Sequence, residues 1–108
     1  MAPTMTAQVF QVLLSLADGP KHGYAMILDI RERTGGEMDL TPSTLYDALA
    51  RLSDQRLIVE VSAPAKASSP DSRRRYYQLT KAGHAATQEE TARLARLLEM
   101  ARAKRFHA

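Results

Sequence analysis

Residues 41–62 have the sequence TPSTLYDALARLSDQRLIVEVS, in which a helical pattern gives way to a strand pattern. Thr41 followed by Pro42 is typical of a helix start, because threonine caps the first amides and proline needs no amide hydrogen at the first helical position. Apolar residues recur on one side of this helix at intervals of three and four: Leu45, Ala48, Leu49 and Leu52. We expect the helix to end near Gln55, and the β-rich run of residues 57–62 predicts a short strand.

Two more helices are predicted before this stretch. The first covers residues 6–17 and has an unusually broad apolar stripe, so we expect one side of it to pack against a partner. The second covers residues 22–34 and ends at Gly35-Gly36, since glycine adopts the left-handed cap conformation without steric cost. Its apolar side is expected to consist of Tyr24, Ile27, Leu28 and Ile30.

A hairpin and a long helix are predicted after it. Residues 63–72 have loop composition and residues 75–79 predict a second strand, so the two strands form a hairpin with a long tip. Thr80 is expected to cap a last helix over residues 81–105, about 37 Å long. Its predicted apolar side consists of Ala82, Ala85, Ala86, Leu94, Leu97, Leu98 and Ala101.

Composition limits the class of protein. The chain has 108 residues, 44% hydrophobic and 25% charged, which predicts one small globular domain. It has no cysteine, which excludes disulfides and cysteine nucleophiles. No apolar run approaches the roughly 18 residues of a membrane span, and the first residues lack a signal-peptide pattern, so we expect a cytoplasmic protein that does not enter the membrane.

Charge is distributed unevenly along the chain, whose formal net charge is +3. Residues 1–62 carry five basic and eight acidic side chains, whereas residues 63–108 carry ten basic and four acidic ones. A basic half favours an anionic partner such as nucleic acid, although a solvated basic helix gives the same pattern.

The order helix, helix, helix, strand, strand, helix predicts a mainly α fold with a small β-hairpin, the winged helix-turn-helix plan. We expect residues 1–80 to form the winged-helix DNA-binding domain and residues 81–108 to form a C-terminal dimerisation helix. The third helix then enters the major groove of double-stranded DNA, and the hairpin, or wing, lies along the backbone.

Four segments in register resemble PadR-type transcriptional regulators: residues 19–24 (GPKHGY), 43–52 (STLYDALARL), 55–58 (QRLI) and 73–83 (RRRYYQLTKAG). The single terminal helix is similar to that of the compact subgroup. The resemblance implies a homodimeric DNA-binding repressor of a pseudo-palindromic operator, responsive to a small hydrophobic or aromatic effector. Asp47 departs from the proline of many relatives.

Candidate DNA-binding residues lie at the start of the third helix and on the wing. Off the apolar face of that helix we expect base and phosphate contacts from Ser43, Thr44 and Tyr46; a capping turn with a surface tyrosine is the alternative. Arg51 is expected to reach phosphate or to pair with Asp47. The wing residues Arg73, Arg74 and Arg75 are expected to clamp phosphate, with Lys66 at the tip, or else to form a solvated strand edge.

Two sets of residues carry the remaining hypotheses. The dimer seam is expected to contain Val9, Leu13, Leu94, Leu97, Leu98 and Ala101, because the last helix outruns its own domain; the protomer core and an effector wall are alternatives. At the start of the second helix, His22, Gly23 and Tyr24 either meet phosphate or serve packing, with Tyr24 in the core and Gly23 in a tight turn.

Catalysis and metal binding have little support in the sequence. His22, His84 and His107 are isolated from one another and from acidic partners at ligand spacing, so no metal or cofactor is predicted. No nucleophile-base arrangement stands out, so the chain is not expected to be an enzyme. The alternatives to a DNA-binding regulator are a winged helix that binds protein and a small enzyme or metal-binding domain.

Overall fold

The computed structural model describes residues 5–64 and 74–108. The described residues form, in chain order, α1 (Ala7–Ser15), β1 (Lys21–His22), α2 (Gly23–Arg33), α3 (Pro42–Asp54), β2 (Ile58–Val61), β3 (Tyr76–Leu79) and α4 (Lys81–Ala103). This order confirms the predicted fold class, a mainly α winged helix with a small sheet and a long last helix. Lys66 and Arg73 lie outside the described residues.

Each helix begins at a side-chain cap. The hydroxyl oxygens of Thr6, Thr41 and Thr80 accept hydrogen bonds from backbone amides three residues later, at 3.0, 3.2 and 3.0 Å. The fourth cap is His22, whose Nδ1 accepts from the amide of Ala25 at 3.2 Å. These bonds satisfy amides that have no partner inside the helix.

The wing is part of a three-stranded antiparallel sheet in the order β1-β3-β2. Besides the predicted hairpin of β2 and β3, the two-residue strand β1 pairs with β3, with Lys21 opposite Tyr77 and His22 opposite Tyr76. The sequence prediction missed β1, since two residues are too few to form a periodic pattern. This pairing fixes the start of α2 directly against the wing.

The core lies between α1, α2, α3 and the sheet. Its completely buried side chains include Val12, Leu13, Met26, Ile30 and Leu45. Leu13 has no exposed surface, so its predicted place in a dimer seam is wrong: this residue holds the protomer core.

The predicted apolar side of α2 was partly wrong. Tyr24 and Leu28 are 61% and 42% exposed, and Met26 is buried with Ile27 and Ile30. Tyr24 and Leu28 are one turn apart and share a helix face that is turned away from the buried one. Because both faces are apolar, only the packing against α1 and α3 selects between them.

The last helix packs on the domain with its first part only. Gly83, Thr87 and Glu90 are buried, whereas every side chain from residue 91 to residue 100 is exposed. None of the described helices combines the length and the apolar character needed to cross a membrane.

Candidate nucleic-acid interface

A cleft of about 380 Å³ opens where the start of α2, the exposed side of α3 and the wing strand meet. Its lining residues are His22, Gly23, Tyr24, Tyr46, Arg74, Arg75 and Tyr77. The fold therefore brings three of the predicted DNA-binding residues, Tyr46, Arg74 and Arg75, to one solvent-open surface, although they come from elements far apart in the chain.

Tyr46 lies against α2 with the hydroxyl end of its ring, and the residue as a whole is half exposed. Its side chain is 49% exposed, and its hydroxyl lies 2.7 Å from the position that a Cβ on Gly23 would occupy. A half-exposed tyrosine on the outer side of α3 offers an aromatic side chain to a partner.

Arg75 has an acidic neighbour on the adjacent strand. Its Nε lies 3.8 Å from Oε1 of Glu60, and the two side chains are 71% and 54% exposed. An exposed pair at this distance contributes about 0–1 kcal/mol, so a phosphate can replace the carboxylate at small cost. Burial and the nearby Glu60 carboxylate raise the pKa of Tyr77, so this phenol stays protonated at the floor of the cleft.

Arg74 lies beside the histidine that caps α2. Its Nη1 is 3.0 Å from Nε2 of His22, while Nδ1 of the same ring accepts from the Ala25 amide. The His22 ring also packs edge-on against Tyr76, with centroids 5.3 Å apart. Burial, and then the positive charge of Arg74, lower the pKa of His22, so the imidazole is neutral near pH 7 and the positive charge of the cleft comes from the arginines.

The first turn of α3 has a polar, solvent-facing edge. Ser43 is exposed. Thr44 takes part in the cap: its Oγ1 lies 3.0 Å from Oγ1 of Thr41, and its backbone amide donates a hydrogen bond to that Thr41 oxygen. The capping turn is therefore observed, and Ser43 is exposed beside it, while its contact with DNA stays a prediction.

Arg51 lies away from this cleft. It lines a separate cleft of about 350 Å³ between α1 and α3, together with Met5, Val9 and Leu52. Among the described residues Arg51 forms no ion pair with Asp47, so this part of the alternative is not observed.

A second exposed surface is apolar. On α4, Leu94, Leu97 and Leu98 are 39%, 45% and 38% exposed, and Ala101 is partly buried. Val9 on α1 is partly buried against the core. Within residues 5–64 and 74–108, no three histidine, cysteine or acidic side chains are grouped in a way that would hold a metal ion.

Two features of the start of α2 were not predicted from the sequence: the capping bond of His22 and the contact of Gly23 with Tyr46. Histidine is not among the preferred caps, so the local pattern placed His22 at the start of α2 without marking its side chain as the cap. The contact between Gly23 and Tyr46 joins residues far apart in the chain, and a glycine gives no apolar signal. The only sequence signal at these two residues was the segment GPKHGY, which resembles PadR-type regulators.

Known proteins agree with this architecture. The residue pattern of the family described as "Transcriptional regulator PadR-like family" matches residues 12–89, and the chain belongs to this family. The resemblance predicted from the sequence is thereby confirmed. Because the family consists of transcriptional regulators, the chain is not an enzyme.

Three individual relatives are at most 38% identical to this chain in sequence. An uncharacterized 37.1 kDa protein in transposon TN4556 of Streptomyces fradiae is 38% identical over 86 residues, which are 80% of this chain but only 22% of the relative. A PadR family transcription regulator from Clostridium difficile is 24% identical with a TM-score of 0.72, over 90% of this chain and 98% of the other. Bacillus subtilis PadR, solved in complex with operator DNA, is 20% identical with a TM-score of 0.65, over 80% of this chain and 47% of the other. These similarities support the fold.

Proposed function

We propose that the protein is a homodimeric transcriptional repressor that binds a pseudo-palindromic operator. The observation that carries this proposal is the cleft that joins Tyr46 of α3 to Arg74 and Arg75 of the wing. A half-exposed tyrosine beside arginines suits a surface that contacts base edges and phosphates together. The operator complex of Bacillus subtilis PadR supports the same use of this fold. As a DNA-bound regulator the protein would act in the cytoplasm.

Each candidate residue has a distinct role in this proposal. Ser43, Thr44 and Tyr46 contact base edges or the adjoining phosphates from the first turns of α3. Phosphates are bound by the basic residues Arg51, Lys66, Arg73, Arg74 and Arg75. Arg51 contacts the backbone apart from the others, since it lines a different cleft.

The dimer supplies the symmetry that a palindrome requires. In this proposal residues 1–80 bind DNA, and residues 81–108 bind the second copy through Leu94, Leu97, Leu98 and Ala101, with Val9 of α1 at the edge. An exposed row of leucines is typical of a surface that a partner covers. The two copies of α3 would then lie about 34 Å apart, or a multiple of that distance.

The effector proposal uses the cleft between α1 and α3. Its walls include the apolar side chains of Met5, Val9 and Leu52, and Arg51 stands at its rim. A small hydrophobic or aromatic effector in this cleft would bear on α3 directly. It would act by favouring one spacing or angle of the two DNA-binding helices over another.

The phosphate contacts are tested by the salt dependence of binding. Operator duplexes are selected from a random-sequence pool with the wild-type protein, and affinities are measured by fluorescence anisotropy over a range of salt concentrations. Replacing Arg74 and Arg75 by alanine should weaken binding to every duplex and reduce the salt slope by up to about 2.

A matched pair of cations provides the control for that experiment. Arg102 and Lys104 at the far end of α4 are exposed and distant in sequence from the wing. Replacing both by alanine removes the same net charge and should leave the slope unchanged. An equal change of the salt slope in both double variants would show that the wing arginines act only through the net charge of the protein. A wild-type protein without salt-dependent DNA binding would refute the DNA-binding function.

Base recognition is tested at Tyr46. Tyr46→Ala should cost about 1–3 kcal/mol on the selected operator and little on a random duplex. Equal losses on the two duplexes would assign Tyr46 to the DNA backbone instead.

A further inference from the structure

Gly23 stands where α2 meets the exposed side of α3, and its lack of a side chain creates that contact. A Cβ at this position would lie 2.7 Å from Oη of Tyr46, 3.0 Å from Cζ of the same ring and 3.3 Å from Cδ2 of Leu45. Contacts under 3.0 Å are essentially never made by a real Cβ, so an alanine here displaces the Tyr46 ring.

The backbone offers no other reason for a glycine at this position. The described glycines with positive φ are Gly19, Gly35 and Gly36, and Gly23 is not among them. Gly23 is instead the first residue of α2, where alanine is the better helix former. Space for Tyr46 therefore explains this glycine, and the tight turn considered for it does not.

The atom that would have to move belongs to a flexible and half-exposed side chain. Tyr46 can rotate toward solvent without opening the core, so an added methyl group shifts the phenol and leaves the fold intact. A hydrogen bond to a base edge weakens steeply when its distance or angle changes, so a displaced hydroxyl loses the contact that specifies sequence.

We propose that Gly23 is a specificity-determining positioning residue: it sets the position of the Tyr46 hydroxyl on the DNA-facing surface while touching no DNA itself. This inference rests on the proposed DNA-binding function. It assigns to the start of α2 a part in sequence discrimination that is separate from any phosphate contact.

A double-mutant cycle tests the assignment. The four proteins are wild type, Gly23→Ala, Tyr46→Ala and the double variant, and the probes are the selected operator and a random-sequence duplex. Gly23→Ala should weaken operator binding roughly tenfold and random-duplex binding by less than about twofold. In the Tyr46→Ala background the same substitution should have no further effect on the operator, since no ring remains to be displaced.

A second measurement follows the ring itself. In the free protein, NMR should detect proximity between the Gly23 α-protons and the Tyr46 ring protons, and Gly23→Ala should move the Tyr46 ring signals while thermal unfolding changes by only a few degrees. The contact of the new methyl group with Leu45 is present in both backgrounds, so the cycle cancels it.

The possible failures are distinguishable. Operator binding that is unchanged by Gly23→Ala, or weakened equally with and without Tyr46, would overturn the positioning role while the DNA-binding function stands. A wild-type protein that binds no duplex would overturn both. Loss of the folded structure in Gly23→Ala would show that the tyrosine cannot move aside, which also contradicts the inference.

Discussion

The two parts of α4 have the same helical backbone and opposite relations to the rest of the protein. Residues 81–90 pack on the winged helix through Gly83, Thr87 and Glu90, all buried. Residues 91–103 extend past the domain and carry three leucines that are more than a third exposed. The packed part is thus built from small or polar side chains, and the apolar ones lie where the protomer offers nothing to cover them.

Apolar character alone therefore does not locate the core of a small domain. Close approach of α4 to the chain at Leu57 requires a residue without a side chain, so a glycine is buried there. The leucines beyond it stay more than a third exposed in the protomer, and we propose that a second copy of the chain covers them.

The largest effect is expected from Gly83→Ala, in the packed part. A Cβ would lie 1.8 Å from the carbonyl oxygen of Leu57 and 2.9 Å from its carbon, and this oxygen also accepts the amide of Thr80 at 3.1 Å. Backbone atoms held in this way cannot move aside, so α4 must shift. We expect a loss of about 3 kcal/mol in the free energy of unfolding, at the upper end of what overpacking costs, measured by urea denaturation.

The sign of that change is informative. An alanine in place of glycine inside an unconstrained helix stabilises it by about 1 kcal/mol. A neutral or stabilising Gly83→Ala would therefore show that the close approach of α4 to Leu57 does not exist in solution. Gly23→Ala, whose added methyl group meets a movable ring, serves as the mild comparison.

In the exposed part, Leu97→Glu should act on the dimer. Leu97 is 45% exposed in the protomer, so a charge there costs the isolated fold little, but in an apolar seam it costs about 2–3 kcal/mol. That corresponds to a roughly 30- to 150-fold rise in the dimer dissociation constant, measured by sedimentation equilibrium. Operator affinity should fall with it.

Ala92→Glu is the control for this variant. Ala92 is exposed and lies on the opposite side of α4 by helical geometry, so the same charge there should leave dimerisation unchanged. A wild-type protein that is monomeric at micromolar concentration and still binds a palindrome tightly would contradict the assignment of the leucines to a seam.

Thr80→Ala should have a smaller effect on the start of the packed part. Oγ1 of Thr80 accepts the Gly83 amide at 3.0 Å and donates to the carbonyl of Arg56 at 2.7 Å. Arg56 has a φ of 60°, a left-handed turn that this second bond supports. We expect a loss of about 1–2 kcal/mol on urea denaturation. Thr80→Ser keeps both bonds, so a loss of the same size in that variant would rule out capping as the cause.

Much of the fold followed from local sequence signals. Thr41, Pro42 and Thr80 mark the starts of α3 and α4 because capping is a local interaction. The buried side of α2 did not follow, since Tyr24 and Met26 lie on nearly opposite sides of the helix, both sides carry apolar residues, and tertiary packing selects between them. Leu13 was misplaced for a related reason: a broad stripe contains core residues and surface residues that spacing cannot separate.

The candidate site was predictable in its members more than in its arrangement. Residue type marked Tyr46 and the wing arginines, and the winged-helix order predicted that α3 and the wing would share a surface. Arg51 lies five residues from Tyr46, which places it on a different side of α3, against α1. The contact between Gly23 and Tyr46 depends on how two helices cross, and this information is absent from either segment alone.

The smallest effect is expected where the packed and exposed parts of α4 meet. There the buried Glu90 accepts hydrogen bonds from Nε and Nη2 of Arg93 at 2.7 and 2.5 Å, and this interaction lowers the pKa of Glu90 from its usual 4.5. A carboxyl group whose pKa is lower in the folded state stabilises the fold above its unfolded pKa, and this contribution is lost as the pH falls through the folded value.

Glu90→Gln should therefore reduce the free energy of unfolding near neutral pH by less than Thr80→Ala does. The difference from wild type should shrink as the pH falls below the usual carboxyl pKa of 4.5, as urea denaturation at several pH values would measure. Glu89→Gln, at an exposed neighbouring position, controls for the loss of one negative charge. If the difference in unfolding free energy between Glu90→Gln and wild type is constant from neutral to acidic pH, the effect of Glu90 comes from packing. The ion pair with Arg93 would then not stabilise the junction between the two parts of the helix.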